Sequence, residues 1–183
     1  MNLEIYYARS KKHWRDWLVR NHIRTQSIWL RYYKKSINKP SLSWSEAVDE
    51  ALCFGWIDSV KKTYDSESYI QCFSKRKEKS IWSKINKNKI KILQKQGLIF
   101  PAGLAAVATA KKNGSWIFLD EIEEGVVPSD LQSALEKAKL VSQFNQLSPS
   151  LRKQYLVSIK SARLATTRIN RIQLTCSYLQ KNP

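Results

Sequence analysis

The stretch "SWSEAVDEALCFGWIDS", residues 43–59, decides how this chain folds. Ser43 with Glu46 three residues later is a capping box: the hydroxyl accepts from the third helical amide, and the carboxylate reaches back to the serine amide. Leu42 is placed to staple the helix entry. Trp44, Ala47, Val48, Ala51, Leu52 and Phe54 then recur on one side at helical spacing. Gly55 stands where a left-handed terminator is expected, and from Trp56 the pattern changes to period two. The stretch reads as a helix running directly into a strand.

Upstream, "LEIYYA" (3–8) reads as a strand, and Ser10 caps a helix over "KKHWRDWLVRN" with Trp14, Trp17 and Leu18 on one face. "SIWLRYYKK" (27–35) alternates as a strand. Downstream, "WIDSVKKTY" and "SYIQCFSKR" form two strands joined by a turn near Asp65 and Ser66. Ser80 opens a predicted helix through Gln96, with Ile81, Trp82, Ile85, Ile92 and Leu93 inward and Gly97 ending it. Pro101 starts a helix over "PAGLAAVATAKKN", closed by Gly114.

"SWIFLDEIEE" (115–124) is expected to be a strand, and Ser129 with Gln132 to box a helix over "DLQSALEKAK". Two helices end the chain, "SPSLRKQYLVSIKSA" and "TRINRIQLTCSYLQK", the last with an Ile169, Ile172, Cys176, Leu179 stripe. The expected class is α+β: a small, mostly antiparallel sheet with packed helices, followed by a helical C-terminal region. The expected division is a core region over 1–124 and the helical region over 125–183, together one compact unit.

The 183 residues suffice to bury roughly 70% of the unfolded surface without a disulfide or metal. Three widely spaced cysteines with no CxxC pair are a reduced, cytosolic pattern. The opening residues hold no apolar run of signal-peptide length, and no later stretch approaches a membrane span. A cytoplasmic location is expected. The net charge of +17 is clustered: residues 1–40 carry ten basic and two acidic side chains, and 75–95 nine and one. Such clustering favours anionic small molecules, polyanions or nucleic acid as partners, against the plainer reading of a solvated lysine-rich surface.

Cys53 lies at the wrong end of its helix for a thiolate, beside Asp49 and Glu50, so a packed thiol is expected. His13 and His22 do not have metal-pair spacing, and no cofactor motif is present, so no metal or cofactor is expected. Asp58 either caps and pairs locally or lines a pocket mouth; Gln71 on the neighbouring strand needs partners if buried. The segment "FSKRKEKSIWSKINKNKIK" (73–91) mixes aromatics with cations, and Lys84, Lys87, Lys91 and Lys95 line one helix side. Arg168 and Arg171 open the last helix, where amides and guanidinium groups can hold an anion.

The run from "PSLSWSEAVDEALCFGWIDS" through "SYIQCFSKR", "SIWSKINKNK" and "PAGLAAV" to "SPSLRKQYLVSIKSARLATTRINRI" resembles the bacterial YdeI/OmpD-associated, bacteriocin-protection-like family. This chain has Ser59 where the family usually has Gly, Cys72 where it often has Arg, and Lys75 where it has Pro; Arg76 matches. The resemblance implies a role in tolerance of antimicrobial peptides or envelope stress, and the first reading is a non-catalytic protein that acts there by binding an anionic partner. Its motif positions suggest a pocket of Asp58, Gln71, Arg76 and Asn86 walled by Trp56 and Trp82. Two alternatives stand beside it: a nucleic-acid-associated protein using the Lys84–Lys95 face, and an enzyme on a small anionic substrate with Asp58 as acid or base. The oligomeric state is left open.

Overall fold

The computed structural model describes residues 4–182, so the first position of the expected opening strand, Leu3, lies outside the described residues. The chain divides into two compact units, Met1–Ile117 and Phe118–Pro183. The first contains β1 (Ile5–Tyr7), α1 (Lys11–Asn21), β2 (Ser27–Tyr33), α2 (Trp44–Cys53), β3 (Trp56–Thr63), β4 (Ser68–Lys75), α3 (Lys84–Lys95) and α4 (Pro101–Lys112).

The four strands form one sheet in the order β1-β2-β4-β3. β4 pairs antiparallel with both β2 and β3, but β1 runs parallel to β2. The sheet is therefore mixed, which corrects the mostly antiparallel expectation. The cause is α1: a helix between two strands returns the chain to the same end, so the strands it joins run the same way. Alternation then sorts the faces. Ile28, Leu30 and Tyr32 of β2 are buried, and the register places them opposite Phe73, Gln71 and Tyr69 of β4. Trp14 of α1 packs on Phe73 and Trp17 on Trp56, so α1 covers this face.

The capping box at Ser43 and Glu46 is present, and Leu42 is buried beside it. Trp44, placed on the apolar side by its spacing, is instead 46% exposed, because at the first helical position it reaches past the core. Gly55 adopts φ +72, and a Cβ there would meet the Ala102 carbonyl oxygen at 2.8 Å. Gly103 is tighter still: a Cβ would lie 2.4 Å from the Cys53 carbonyl oxygen, the same oxygen that accepts from the Phe100 amide at 2.9 Å. Two glycines thus let the start of α4 touch the end of α2.

Three expectations fail here. α3 begins at Lys84 with Ser83 as its cap, not at Ser80. Ile81 and Trp82 therefore precede the helix and do not share its phase. The buried face is Ile90 and Leu93, while Ile85 and Ile92 are exposed. "SWIFLDEIEE" is not a strand but a turn followed by a short helix; its buried apolar residues, Leu119 and Ile122, are spaced by three.

The second unit comprises α5 (Asp120–Glu123), α6 (Ser129–Lys137), α7 (Val141–Gln146), α8 (Pro149–Lys160) and α9 (Ala165–Lys181) around a core that includes Leu131, Leu135, Phe144, Leu156, Ile159 and Leu179. The predicted box at Ser129 is absent: Pro128 occupies the cap, and Gln132 donates its amide to Glu136 at 2.8 Å. α8 has Ser148 as cap and Pro149 at its first turn, as expected. In α9 the inward stripe is Ile172, Thr175 and Leu179, with Cys176 half-buried and Ile169 exposed.

Across the first unit, Glu50 of α2 is buried to 1% and receives Arg15 Nη1 at 2.6 Å and Lys11 Nζ at 3.4 Å. Arg15 also donates to the Leu98 carbonyl at 2.9 Å and lies against the Phe54 and Phe100 rings. Replacing Arg15 by Met leaves a buried carboxylate with Lys11 as its remaining cation, and should cost about 3 kcal/mol in chemical denaturation. Gly103→Ala, normally favourable in a helix by roughly 1 kcal/mol, should here destabilise by about 1–3 kcal/mol in the same assay, because backbone opposes the new methyl.

Candidate functional site

β3 and β4 bring Asp58 and Gln71 onto the helix-covered face of the sheet, and the bulge between Asp58 and Lys61 offsets the register there. The Gln71 side-chain amide is buried and donates to the Ser59 carbonyl at 2.8 Å and to Asp58 Oδ2 at 3.3 Å. The same oxygen accepts from Trp44 Nε1 at 2.9 Å. Asp58 thus ties the first turn of α2 to the β3–β4 pair, and Trp44 is its partner that periodicity alone missed. Above these, Tyr32 and Tyr69 stack with ring centroids 5.0 Å apart; burial pushes the Tyr32 hydroxyl far above its ordinary range, and its oxygen has no partner among the described residues.

Arg76 follows directly on β4. Its amide donates to the Gly55 carbonyl at 2.9 Å, so the helix terminator of α2 also positions this residue. The guanidinium lies over Trp82 at 3.6 Å from the ring centroid, and Trp82 in turn rests against Trp116 with centroids 5.0 Å apart. Trp82 is held by its own amide, which donates to the Ser115 carbonyl at 3.3 Å. Arg76 Nη1 makes a long bond of 3.4 Å to the Ile81 carbonyl, while buried Nε has no partner among the described residues. No carboxylate among those residues lies within ion-pair distance of it. Burial pulls the guanidinium down to about 10, partly opposed by the charge of Asp58.

A hollow of ≈ 70 Å³ opens at this point, lined by Arg76, Trp82, Lys77, Glu78, Ala106 and Thr109. Of the expected pocket residues, it contains Arg76 and Trp82. Asp58 acts on Arg76 through its charge, and Gln71 holds Asp58. Trp56 is fully buried in the core against Trp17, its Nε1 also without a partner among the described residues. Asn86 sits in the first turn of α3, where its amide donates to the Ser83 cap at 3.3 Å. Ala106 lies within "PAGLAAV" and Thr109 and Trp116 beyond the quoted segments, and none of the three carried a signal of its own in the sequence.

The lysines separate into roles. Lys89 pairs with Asp49 at 2.5 Å and pins α3 to α2. Lys84, Lys91 and Lys95 are exposed, Lys87 half-buried, and Lys91, Gln94 and Lys95 line a shallow hollow of ≈ 400 Å³. Arg168 is engaged by Asp130 through Nε and Nη2 and by the Ile159 carbonyl through Nη1. Arg171 donates to the Ser158 carbonyl and to Ser161 Oγ. Both arginines therefore stitch α9 to its neighbours within the second unit.

Cys53 is buried, and burial with the adjacent Glu50 pushes its thiol up, consistent with a packing role. His22 faces the Leu18 carbonyl through Nδ1 at 2.8 Å and packs on Phe54. Among the described residues no helix is long and apolar enough to cross a membrane.

No curated protein and no solved structure matches the chain. Two family models do. Residues 124–182 match the family described as Bacteriocin-protection, YdeI or OmpD-Associated, which supports the resemblance read from the sequence and places it on the helical second unit. Residues 6–106, more than half of the chain and the part that holds Asp58, Arg76 and Trp82, match a domain of unknown function, DUF8412. The chain belongs to the DUF8412 family, and residues 124–182 in its second unit are similar to the YdeI/OmpD-associated family.

Proposed function

We propose that the protein is a non-catalytic binding protein whose Arg76 captures an anionic group of its partner, in a cytoplasmic role tied to tolerance of antimicrobial peptides or envelope stress. The observation that carries this reading is Arg76, half-buried over Trp82 with its Nε unpartnered and no carboxylate at ion-pair distance among the described residues. An ion moved out of water without a counter-charge costs several kcal/mol, and an arriving anion offsets that cost. The close contact with the Trp82 ring holds the guanidinium, so little freedom is lost when a ligand binds. The hollow of ≈ 70 Å³ takes one head group, with the rest of the ligand outside. The description of the C-terminal family supports the protective role. Asp58, held by Trp44 and Gln71, acts as an electrostatic and positioning group rather than an acid or base.

A second reading, nucleic-acid association through the α3 lysine face, is favoured by the exposed Lys91 and Lys95 around their shallow hollow. It predicts binding that weakens steeply with salt and fails when both lysines are reversed to Glu, measured by anisotropy of labelled DNA and RNA.

The test of the Arg76 reading is titration of phosphate, sulfate and acetate, followed through the fluorescence of the adjacent Trp82 and Trp116. Arg76→Gln should weaken the response at least about tenfold, or about 1.4 kcal/mol. Because the folded guanidinium is charged below its depressed value, binding of sulfate, whose own charge is constant over this range, should stay flat to about pH 9 and fall as pH rises through about 10. An identical titration in Arg76→Gln would refute the reading.

A further inference from the structure

The second unit contains a cleft of ≈ 630 Å³, within the size range of ligand sites. Its floor is Ile122 of α5 and Leu156 of α8, both buried, and the α5–α6 connection contributes Val126, Val127 and Pro128 as an apolar wall. Two ion pairs within the unit edge it: Lys160 with Glu121 at 2.6 Å and Arg168 with Asp130 at 2.5 Å.

The two pairs share one polarity. Glu121 is 66% exposed and Asp130 44%, against 29% for both Lys160 and Arg168. Arg168 has committed all three of its donor nitrogens, two to Asp130 and one to the Ile159 carbonyl. Lys160 bonds Glu121 and lies against the Phe118 ring. Glu121 accepts Lys160 on Oε2 alone, which leaves Oε1 without a donor among the described residues. Arg168 and Lys160 keep two N–H donors each, but the carboxylates are the more exposed partners of both pairs, so what the cleft presents outward is mainly acceptor capacity above an apolar floor. The local composition agrees: residues 113–136 carry six acidic side chains and no basic one, in a chain of net charge +17.

We propose that this cleft receives a basic, apolar segment of a partner polypeptide. An ammonium or guanidinium group meets Glu121 Oε1 and the outer edge of Asp130, while aliphatic side chains cover Ile122 and Leu156. This goes beyond the anion capture proposed for Arg76 and does not depend on it, since it involves the other unit and the opposite charge. The rest of the chain works as a filter. A cationic peptide is repelled by the protein as a whole, so its capture requires the local carboxylates together with the floor.

The experiment uses the full chain and a labelled synthetic peptide of alternating lysine and leucine, read by fluorescence anisotropy. Glu121→Lys should weaken binding at least about tenfold. Val126→Lys, which places a cation at the cleft mouth from an exposed position and removes no ion pair, should do the same. Glu136→Lys, an exposed reversal outside the cleft, should change it little. Circular dichroism establishes that each variant is folded. Exchanging leucine for serine in the peptide should abolish binding, and exchanging lysine for glutamate should too. Equal weakening by Glu121→Lys and Glu136→Lys, or undiminished binding of the serine peptide, would overturn the proposal in favour of diffuse electrostatics. Self-association in sedimentation that disappears in Val126→Lys would overturn it by assigning the cleft to a second copy of this chain.

Discussion

Glu50 is a carboxylate with almost no water around it, and Arg15 and Lys11 are what make that position tolerable. A buried charge of this kind is weak as a source of net stability and strong as a constraint, because any arrangement that separates the partners strands an ion. It therefore sets the alignment of α1 along α2. With α1 set, Trp14 and Trp17 fall on Phe73 and Trp56, and the choice of which sheet face is covered follows. Arg15 extends the same constraint to the Leu98 carbonyl ahead of α4. Much of the first unit is thereby keyed to one side-chain pair.

The candidate site inherits its geometry from that arrangement. Gly55 terminates α2, touches α4 and accepts from the Arg76 amide, so the guanidinium is placed by backbone that is itself held on two sides. Trp82 is positioned by a separate tie to Ser115. A cation between two independently fixed elements cannot easily swing into water to recover its hydration. Burial in that setting is what lowers its pKa.

Most of the elements were legible where local chemistry was unambiguous. The box at Ser43 and Glu46, the cap at Ser10 and the strand alternation in Ile28, Leu30 and Tyr32 each have one sensible partner arrangement. Reading failed where two residues could play the same part. Ser80 and Ser83 can both cap, and choosing the wrong one rotated the apparent apolar face of α3 onto Ile85 and Ile92. "SWIFLDEIEE" holds enough aromatic and branched residues for a strand, yet its burial follows a spacing of three. The parallel β1 was hidden because direction belongs to the connection and not to the strand. At the site, the motif residues split: Arg76 and Trp82 meet, Trp56 turns to the core and Asn86 stays in the first turn of α3. Long-range neighbours such as Trp44 and Trp116 leave no periodic trace.

The strand order has a consequence for how the molecule assembles. β4 lies between β2 and β3, so one of the two inner strands is the last of the four to be made. Until residue 75 has emerged, β2 has β1 on one side and nothing on the other. The local step open to the chain is zipping of β3 with β4, a contact of short sequence separation; closure onto β2 then spans the whole of α2. Before that closure the strands can pair only as two half-sheets, β1 with β2 and β3 with β4. The short β1 and the lysine-bearing, bulged β3 blunt the outer edges of those halves, while the β2 and β4 edges stay open until they pair with each other.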